Sequence, residues 1–193
     1  MKIESYTFPK SSFLSIEKDF SLIVNKMIQN ERLKKLLYYD TVDALDRPKL
    51  TQAQTLEVLQ KNIKIVPKLV LDKTLLSYIV ITFDNFAPTG NPQFRDNTIS
   101  IDIVCHFDVW QLGDFKLRPF KIAGEIDSML NESKLSGIGR LKFMTGNFTV
   151  LNEDYGVLSL LFEATHGEDD KKGMLNPADE AEFIEEFNEI YNS

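Results

Sequence analysis

The residues most able to do chemistry stand together in NTISIDIVCHFDVWQL, residues 97–112. Cys105 is the only cysteine of the chain, His106 is one of two histidines, and Asp108 follows two positions later. A thiol beside an imidazole is the pairing of a cysteine nucleophile with its base, and all three side chains are also metal ligands. A reactive site and an ordinary strand are therefore the two interpretations to separate.

Apolar and polar residues alternate along this stretch, which predicts a half-buried β-strand. Strand side chains point to the two faces in turn, so Cys105 and His106 point in opposite directions and cannot act as a pair. A cysteine among aliphatic side chains behaves as a small buried hydrophobe. The face of Cys105 is expected to hold Ile99, Ile101, Ile103, Phe107 and Val109, and the face of His106 to hold Ser100, Asp102, Val104 and Asp108. We therefore interpret the stretch as structural.

Other catalytic or ligand-binding signatures are weak. The aspartates that could supply oxygen ligands to magnesium, and so serve a metal-dependent nuclease, are Asp84, Asp96, Asp102 and Asp108. Asp102 and Asp108 are expected to point outward into solvent. The G-x-G of SGIGRL lacks the preceding strand of a βαβ unit, and a catalytic triad around His106 or His166 has no partner that the sequence locates. The sequence predicts no enzyme, no catalytic or metal-binding residue and no cofactor.

The net charge of -7 is unevenly placed. Residues 167–193 contain nine acids and two lysines, which account for the whole imbalance, so the rest of the chain is neutral. A neutral body with an acidic tail lacks the clustered basic face that binds a phosphate backbone, which predicts no sequence-specific nucleic-acid partner. No apolar run is long enough to span a bilayer, and the first residues, MKIESYTFPK, lack the apolar core of a signal peptide. A single cysteine fits production in a reducing cytoplasm.

Hydrophobic periodicity predicts helices in two parts of the chain. One begins in SSFLSIEKDFSLIVNKMIQNERLKKLLYY with a break near Asn30, and a short helix follows with Thr51 as its cap. The other is RPFKIAGEIDSMLNE, which has Pro119 in its first turn. Its apolar face is expected to comprise Phe120, Ala123, Ile126 and Leu130, helped by Ile122 and Met129.

Strands are predicted in LLSYIVITFDNF, in the stretch around Cys105 and in YGVLSLLFEATH. IKIVPKLVL is expected to be an edge strand or irregular because Pro67 interrupts it. GIGRLKFMTGNFTVL is expected to give two short strands around a turn at residues 145–147. The order predicts an α+β fold, a mainly antiparallel sheet with helices packed on one face, plus N-terminal helices and a tethered C-terminal helix. The predicted units are one domain over 1–166 (its helical part about 11–62), a linker over 167–176 and an acidic amphipathic helix over 177–193.

Two features predict partner binding. The first is the loop FAPTGNPQFRDN, whose Phe86, Phe94 and Arg95 are residue types favoured in interfaces, although Phe94 could equally fold under its own loop. The second is the C-terminal helix, which could fold back on its own body or dock in a neighbour's groove. The apolar stripe of that helix comprises Phe183, Ile184, Phe187, Ile190 and Tyr191.

From about residue 75 to 166 the chain resembles the tail-terminator, tail-completion and neck ring proteins of tailed bacteriophages. The resemblance is carried by NPQFRDNTISIDIVCHFD, by the helix RPFKIAGEIDSMLN and by GRLKFMTGNFTVLNEDYGVLSLLFEATH. It implies a small α+β unit that assembles into a ring at the head–tail junction or the upper end of the tail. It carries over no catalytic residue, since the family is structural, and the N-terminal helices and the C-terminal helix are additions to its minimal pattern.

The resemblance and the composition together predict a structural virion protein, assembled in the host cytoplasm, whose ring joins portal-side proteins to the tail. Its partners would be further copies of itself and neighbouring neck, portal-adaptor or tail proteins, with no membrane, while DNA passes through the ring. An acidic balance suits such a passage, because like charges disfavour phosphate binding. A monomeric or dimeric non-catalytic adaptor and a metal-dependent nuclease remain as alternatives.

Overall fold

The computed structural model describes residues 16–66, 69, 71–88, 94–133 and 140–167. The helices are α1 (Ile16–Gln29), α2 (Glu31–Tyr38), α3 (Gln52–Lys61) and α4 (Arg118–Leu130), with 3₁₀ turns at Ala44–Asp46 and Phe107–Val109. The strands are β1 (Ile63–Ile65), β2 (Ser77–Pro88), β3 (Phe94–His106), β4 (Lys142–Val150) and β5 (Tyr155–Gly167).

The strands form one sheet in the order β1-β2-β3-β5-β4. β1 runs parallel to β2, and every other pair is antiparallel. The predicted α+β fold is therefore confirmed, with β1 as an edge strand as Pro67 suggested. β1 has three residues, whereas β4 at the opposite edge has nine.

The main core lies between the helices and one face of the sheet. Its fully buried sheet residues are Ile79, Ile81, Ile101, Ile103, Cys105 and Phe162, and its fully buried helical residues are Ile23, Met27, Leu33, Leu36, Val58, Ile122, Ile126 and Leu130. Leu158, Leu160, Phe162 and Ala164 of β5 are also buried in this core. Burial of this apolar surface is the main force that holds helices and sheet together.

Capping side chains fix the helix boundaries that the sequence predicted. Asn30 interrupts the first helical stretch, and its side-chain oxygen accepts a hydrogen bond from Leu33 N–H at 3.1 Å, which caps α2. Thr51 and Gln54 form a reciprocal capping box at the start of α3. The Asn30 amide also donates to Glu125 of α4 at 3.0 Å, so the break joins α2 to α4.

Glu125 is the acceptor that holds this junction. Arg32 Nε donates to it at 2.6 Å, beside the bond from Asn30. Burial raises the pKa of Glu125, but the hydrogen bonds from Arg32 and Asn30 outweigh burial, and the net pKa lies below its ordinary value. The carboxylate therefore stays charged at neutral pH.

The second face of the sheet carries a smaller core that the sequence did not predict. The buried residues there are Tyr78, Val80, Val104, Tyr155 and Val157, and the segment after β1 packs on them with Val66, Leu69, Leu71 and Leu75. Polar contacts fasten the segment, because Tyr155 donates its hydroxyl hydrogen to Leu75 O at 3.1 Å and Asp72 N–H donates to the Tyr78 hydroxyl at 2.9 Å. Lys64 forms an ion pair with Asp72. This cover explains why Val104 can be apolar on the face that also bears His106.

Two residues placed on the apolar face by periodicity are exposed instead. β3 ends at His106, so Phe107 lies in the following 3₁₀ turn with 36% of its surface exposed, and Val109 is buried but outside the strand. Phe120 is 54% exposed, because the buried stripe of α4 runs through Ile122 and Ile126, one turn position away. The prediction for Phe107 was wrong because β3 ends before it, and the prediction for Phe120 was wrong in the first turn of α4.

The predicted turn at residues 145–147 was also wrong. β4 continues through it, with a register shift between Phe143 and Thr145. The chain reverses after Val150 instead, where Asn152 Oδ1 accepts hydrogen bonds from the N–H groups of Asp154 and Tyr155 at 2.9 and 2.8 Å. Gly146 is therefore an ordinary residue of β4, and the side chain of Asn152 stabilises the turn.

Candidate interaction surface

Cys105 and His106 do not form a reactive pair. Cys105 is fully buried, and burial raises the pKa of its thiol to about 12, so it stays protonated at neutral pH. His106 points the other way and meets the ring of Tyr155 edge-on at 4.8 Å. Its Nδ1 accepts a hydrogen bond from Asp108 N–H at 3.1 Å, which starts the 3₁₀ turn. The structural interpretation of this stretch is confirmed.

The aspartates considered as magnesium ligands are engaged separately. Asp102 was expected to point into solvent but is half-buried, and it accepts hydrogen bonds from the hydroxyls of Ser100 and Ser159. Asp108 is exposed, with 85% of its side chain accessible. Asp84 accepts from Asn85 N–H at a bulge of β2. Within the described ranges, no three His, Cys or carboxylate side chains lie close enough to share a metal ion.

Arg118 is a buried charged residue that the sequence analysis did not identify, and its role is structural. The side chain is fully buried at the start of α4. It donates four hydrogen bonds to backbone carbonyls, those of Val109, Leu36, Tyr39 and Thr41, at 2.6–2.9 Å. The carbonyls of Leu36, Tyr39 and Thr41 lie at and after the C-terminal end of α2, where helix carbonyls lack partners and attract a cation. Arg118 thus fixes α4 against α2.

The position of α4 leaves β4 uncovered. Arg118 N–H at the start of α4 donates to Trp110 O, and Asn131 at its end accepts from Phe143 N–H at 3.0 Å. Trp110 in turn contacts Phe148, near the end of β4, with ring centroids 5.3 Å apart. α4 therefore runs beside β4 in the opposite direction, and it packs on β3 and β5.

We call the uncovered surface the β4 face, defined by Phe143, Phe148 and Val150. Each lies directly opposite a β5 residue in the register, Phe162, Leu158 and Gly156 respectively, and so faces the helical side of the sheet. Their exposed fractions are 37%, 46% and 58%, and every residue of β4 is exposed. The β4 face is a shallow apolar trough with α4 along one side.

Trp110 closes one end of this trough. Its ring lies between Phe107, at 5.2 Å, and Phe148. A Cβ atom on Gly156 would lie 2.8 Å from atoms of both Trp110 and Phe148, closer than van der Waals contact allows. Gly156 therefore lets the two rings pack closely against β5.

The outer edge of β4 is a second, separate feature. In the described part of the chain β4 pairs with β5 alone, so the opposite edge presents backbone N–H and C=O groups without a strand partner, although at its start Phe143 N–H donates to the Asn131 side chain. The eight residues from Phe143 to Val150 include no charged residue and no proline. Charges, proline and short length are the usual protections of an edge strand against pairing with another chain, so this edge is open to such pairing.

The sequence-predicted binding residues fall elsewhere or outside the described residues. Phe86 lies in β2, and Phe94 and Arg95 lie in β3, so the loop is shorter than predicted. β2 and β3 extend into the predicted loop, because Pro88 pairs with Arg95 and Phe94 pairs with Gly167. These pairs give partners to backbone groups of the loop ends. The predicted linker and the helix over 177–193 lie outside the described residues.

Comparison with known proteins gives a family and a structural likeness. No curated protein matches the chain. The fold is similar to that of a chain in the virion of a native gene transfer agent (GTA) particle, with 13% identity, a TM-score of 0.48, and coverage of 76% of this chain and 92% of that one. None of the helices described here is long and apolar enough to cross a membrane. A sequence model named YomW matches residues 30–164, most of the chain, and the chain therefore belongs to the YomW family, which is phage-associated.

Proposed function

We propose that this chain is a structural virion protein of a tailed bacteriophage. It forms a ring at the head–tail neck or the upper end of the tail and joins portal-side proteins to the tail. Membership of a phage-associated family supports the setting. The observation that carries the ring is the open edge of β4, nine residues long and exposed throughout.

The two edges of the sheet are unlike, so a ring requires the edge of β4 to meet a surface of the next copy other than a second β4 edge. β1 has three residues and follows α3 directly, whereas β4 is long and open. An edge strand adds to a neighbouring chain through main-chain hydrogen bonds. When β4 of one copy meets a different surface of the next, the contact is head-to-tail, and such contacts form a ring when the rotation between copies closes.

Mass in solution and imaging of the same sample test the proposal. Light scattering of the full chain is expected to give a multiple of 22.2 kDa, and electron microscopy is expected to show closed rings. A mass of 22.2 kDa at every concentration, with no rings, would contradict it. A dimer would favour the adaptor alternative.

Charge on the open edge provides a sharper test. Asn147 and Thr149 are exposed residues of β4 that point away from the helices. The edge variant Asn147→Lys/Thr149→Lys is expected to be monomeric and still folded, since lysines on an edge strand oppose pairing. The helix variant Gln52→Lys/Gln60→Lys adds the same charge to exposed positions of α3 and is expected to form rings. Equal masses for the two variants would exclude the edge as the contact.

A further inference from the structure

We propose that residues 177–193 of the same chain form a helix that covers the β4 face beside α4. The helices described pack on the rest of this side of the sheet, and β4 is the strand that they leave bare. An amphipathic helix with a stripe of five apolar residues has the chemistry that this gap requires. The inference concerns the face of β4 and not its edge, so it stands apart from the proposed ring.

The path of the chain brings this segment to the right end of the trough. β5 ends at Gly167, four residues past Glu163, which pairs with Lys142 at the start of β4. The chain thus leaves the sheet about 13 Å beyond the start of β4. The nine residues 168–176 span at most about 32 Å, enough to return to Phe143.

The length of the segment matches the length of the face. Seventeen residues in a helix extend about 25 Å. The distance along β4 from Phe143 to Val150 is seven residues, about 23 Å. A helix that begins near Phe143 therefore ends near Val150 and Trp110, and its stripe over residues 183–191 faces the half of the trough that holds Phe148 and Val150.

The charges at the entrance also match. Lys142 and Arg140 are exposed where the helix would begin, although Arg140 also pairs with Glu132 at 3.0 Å. The first turns of the segment contain Asp179, Glu180 and Glu182. Opposite charges at this end and apolar residues along the trough set the direction of the helix. Because the tether is short, the effective concentration of the segment at its own β4 face exceeds that of a free partner.

A pair of engineered cysteines tests the contact. Val150→Cys with Ile190→Cys in the full chain is expected to form a disulfide within one chain, seen as loss of two free thiols while the band stays near 22.2 kDa on a non-reducing gel. The control Thr149→Cys with Ile190→Cys places the thiol on the adjacent residue of the opposite face and is expected to react at least about tenfold more slowly. Cys105 does not compete because it is buried.

Each other outcome overturns the inference. Equal rates for the two pairs would show that the segment does not rest on the β4 face. A disulfide between two copies, at twice the mass, would place the segment on a neighbour. Light scattering of the unmodified chain reports ring formation separately, so rings without the intrachain disulfide would refute this inference and leave the proposed function standing.

Tryptophan fluorescence gives a second readout. Trp110 is the only tryptophan and contacts Phe148 of the β4 face. Phe183→Ser/Phe187→Ser is expected to shift its emission to the red, because water reaches the ring when the helix leaves. The control Glu185→Gln/Glu189→Gln alters the polar side of the helix and is expected to leave the emission unchanged. An unchanged spectrum in the serine variant would contradict the contact.

Discussion

β4 and β5 are neighbours in the sheet with similar apolar residues, yet their environments are opposite. On β5, the residues Tyr155, Val157, Leu158, Leu160, Phe162 and Ala164 are buried, whereas all nine residues of β4 are exposed. β5 has a strand on each side and cover on both faces, while β4 has one strand partner. Place in the strand order, more than composition, decides whether an apolar strand supports the fold or remains available for contact.

Phe143 and Phe162 offer the most direct test of this difference. They lie directly opposite each other with ring centroids 5.7 Å apart, one exposed and one fully buried. Phe162→Ala is expected to lower the free energy of unfolding by about 4 kcal/mol, since a buried phenylalanine leaves a cavity. Phe143→Ala should lower it by less, about 1–2 kcal/mol, since 37% of the Phe143 surface is already exposed and truncation leaves no closed cavity.

Urea unfolding of both variants measures the contrast. The monomeric edge variant serves as the common background, so that assembly does not add to the unfolding free energy. Equal losses at the two positions would mean that β4 is covered in the folded monomer as completely as β5.

Arg118 determines which strands the helical layer covers. Arg118→Met is expected to lower the free energy of unfolding by about 3 kcal/mol, because four buried carbonyl hydrogen bonds lose their donor. Arg118→Lys keeps the charge but lacks the fork of donors, and a partial loss is expected. Chemical denaturation ranks the three proteins, and a stability of Arg118→Met equal to that of the native chain would refute this role.

Gly156 is the point where the buried strand and the exposed strand share an aromatic contact. Gly156→Ala is expected to lower the free energy of unfolding by about 1 kcal/mol and to change the Trp110 emission, because the added Cβ displaces two rings. Gly124→Ala is the matched control, since a Cβ there meets no atom within 4 Å and helix propensity favours alanine. Thermal unfolding followed by tryptophan fluorescence compares the pair, and an unchanged emission for Gly156→Ala would contradict the contact.

Asp72 tests the cover of the second face through pH. The hydrogen bonds from Lys64 and from Thr74 hold its pKa at about 2, below its ordinary value of 3.8. A lowered folded-state pKa means that the stabilisation is complete above the unfolded value and is lost as pH falls from about 4 to about 2. Asp72→Asn should therefore cost up to about 1 kcal/mol at pH 7, and the difference should disappear near pH 2.

Unfolding by urea at pH 7, 4 and 2.5 checks the prediction for Asp72. Asp108→Asn, at an exposed carboxyl, is the control and is expected to match the native chain at each pH. If the loss of unfolding free energy in Asp72→Asn grew as pH falls, it would contradict the lowered pKa of Asp72.

The sequence predicted elements well where local chemistry determines them. The break at Asn30, the cap at Thr51 and the burial of Cys105 followed from periodicity and side-chain type alone. It failed where long-range packing decides. Phe120 is exposed because of how α4 is placed, and Arg118 is buried because carbonyls of α2, about 80 residues earlier, surround it.

The candidate surface was harder to predict than the fold. The sequence predicted two short strands around a turn at residues 145–147 where β4 runs without a break, and nothing local showed that no helix described here would lie over it. The roles predicted for Phe86, Phe94 and Arg95 and for the C-terminal segment remain predictions. β4 has an open edge because it is the last strand in the order of the sheet, and that order depends on packing of the whole chain.

Hydrogen exchange of the β4 amides tests the central claim most directly. Spectra of the full chain at an assembling concentration and of the edge variant would be compared for residues 143–150. If the edge of β4 makes the ring contact, its outward amides are expected to exchange at least about tenfold more slowly in the assembled chain, because they gain strand partners. Rings whose β4 amides exchange as fast as those of the edge variant would show that the chain assembles through another surface.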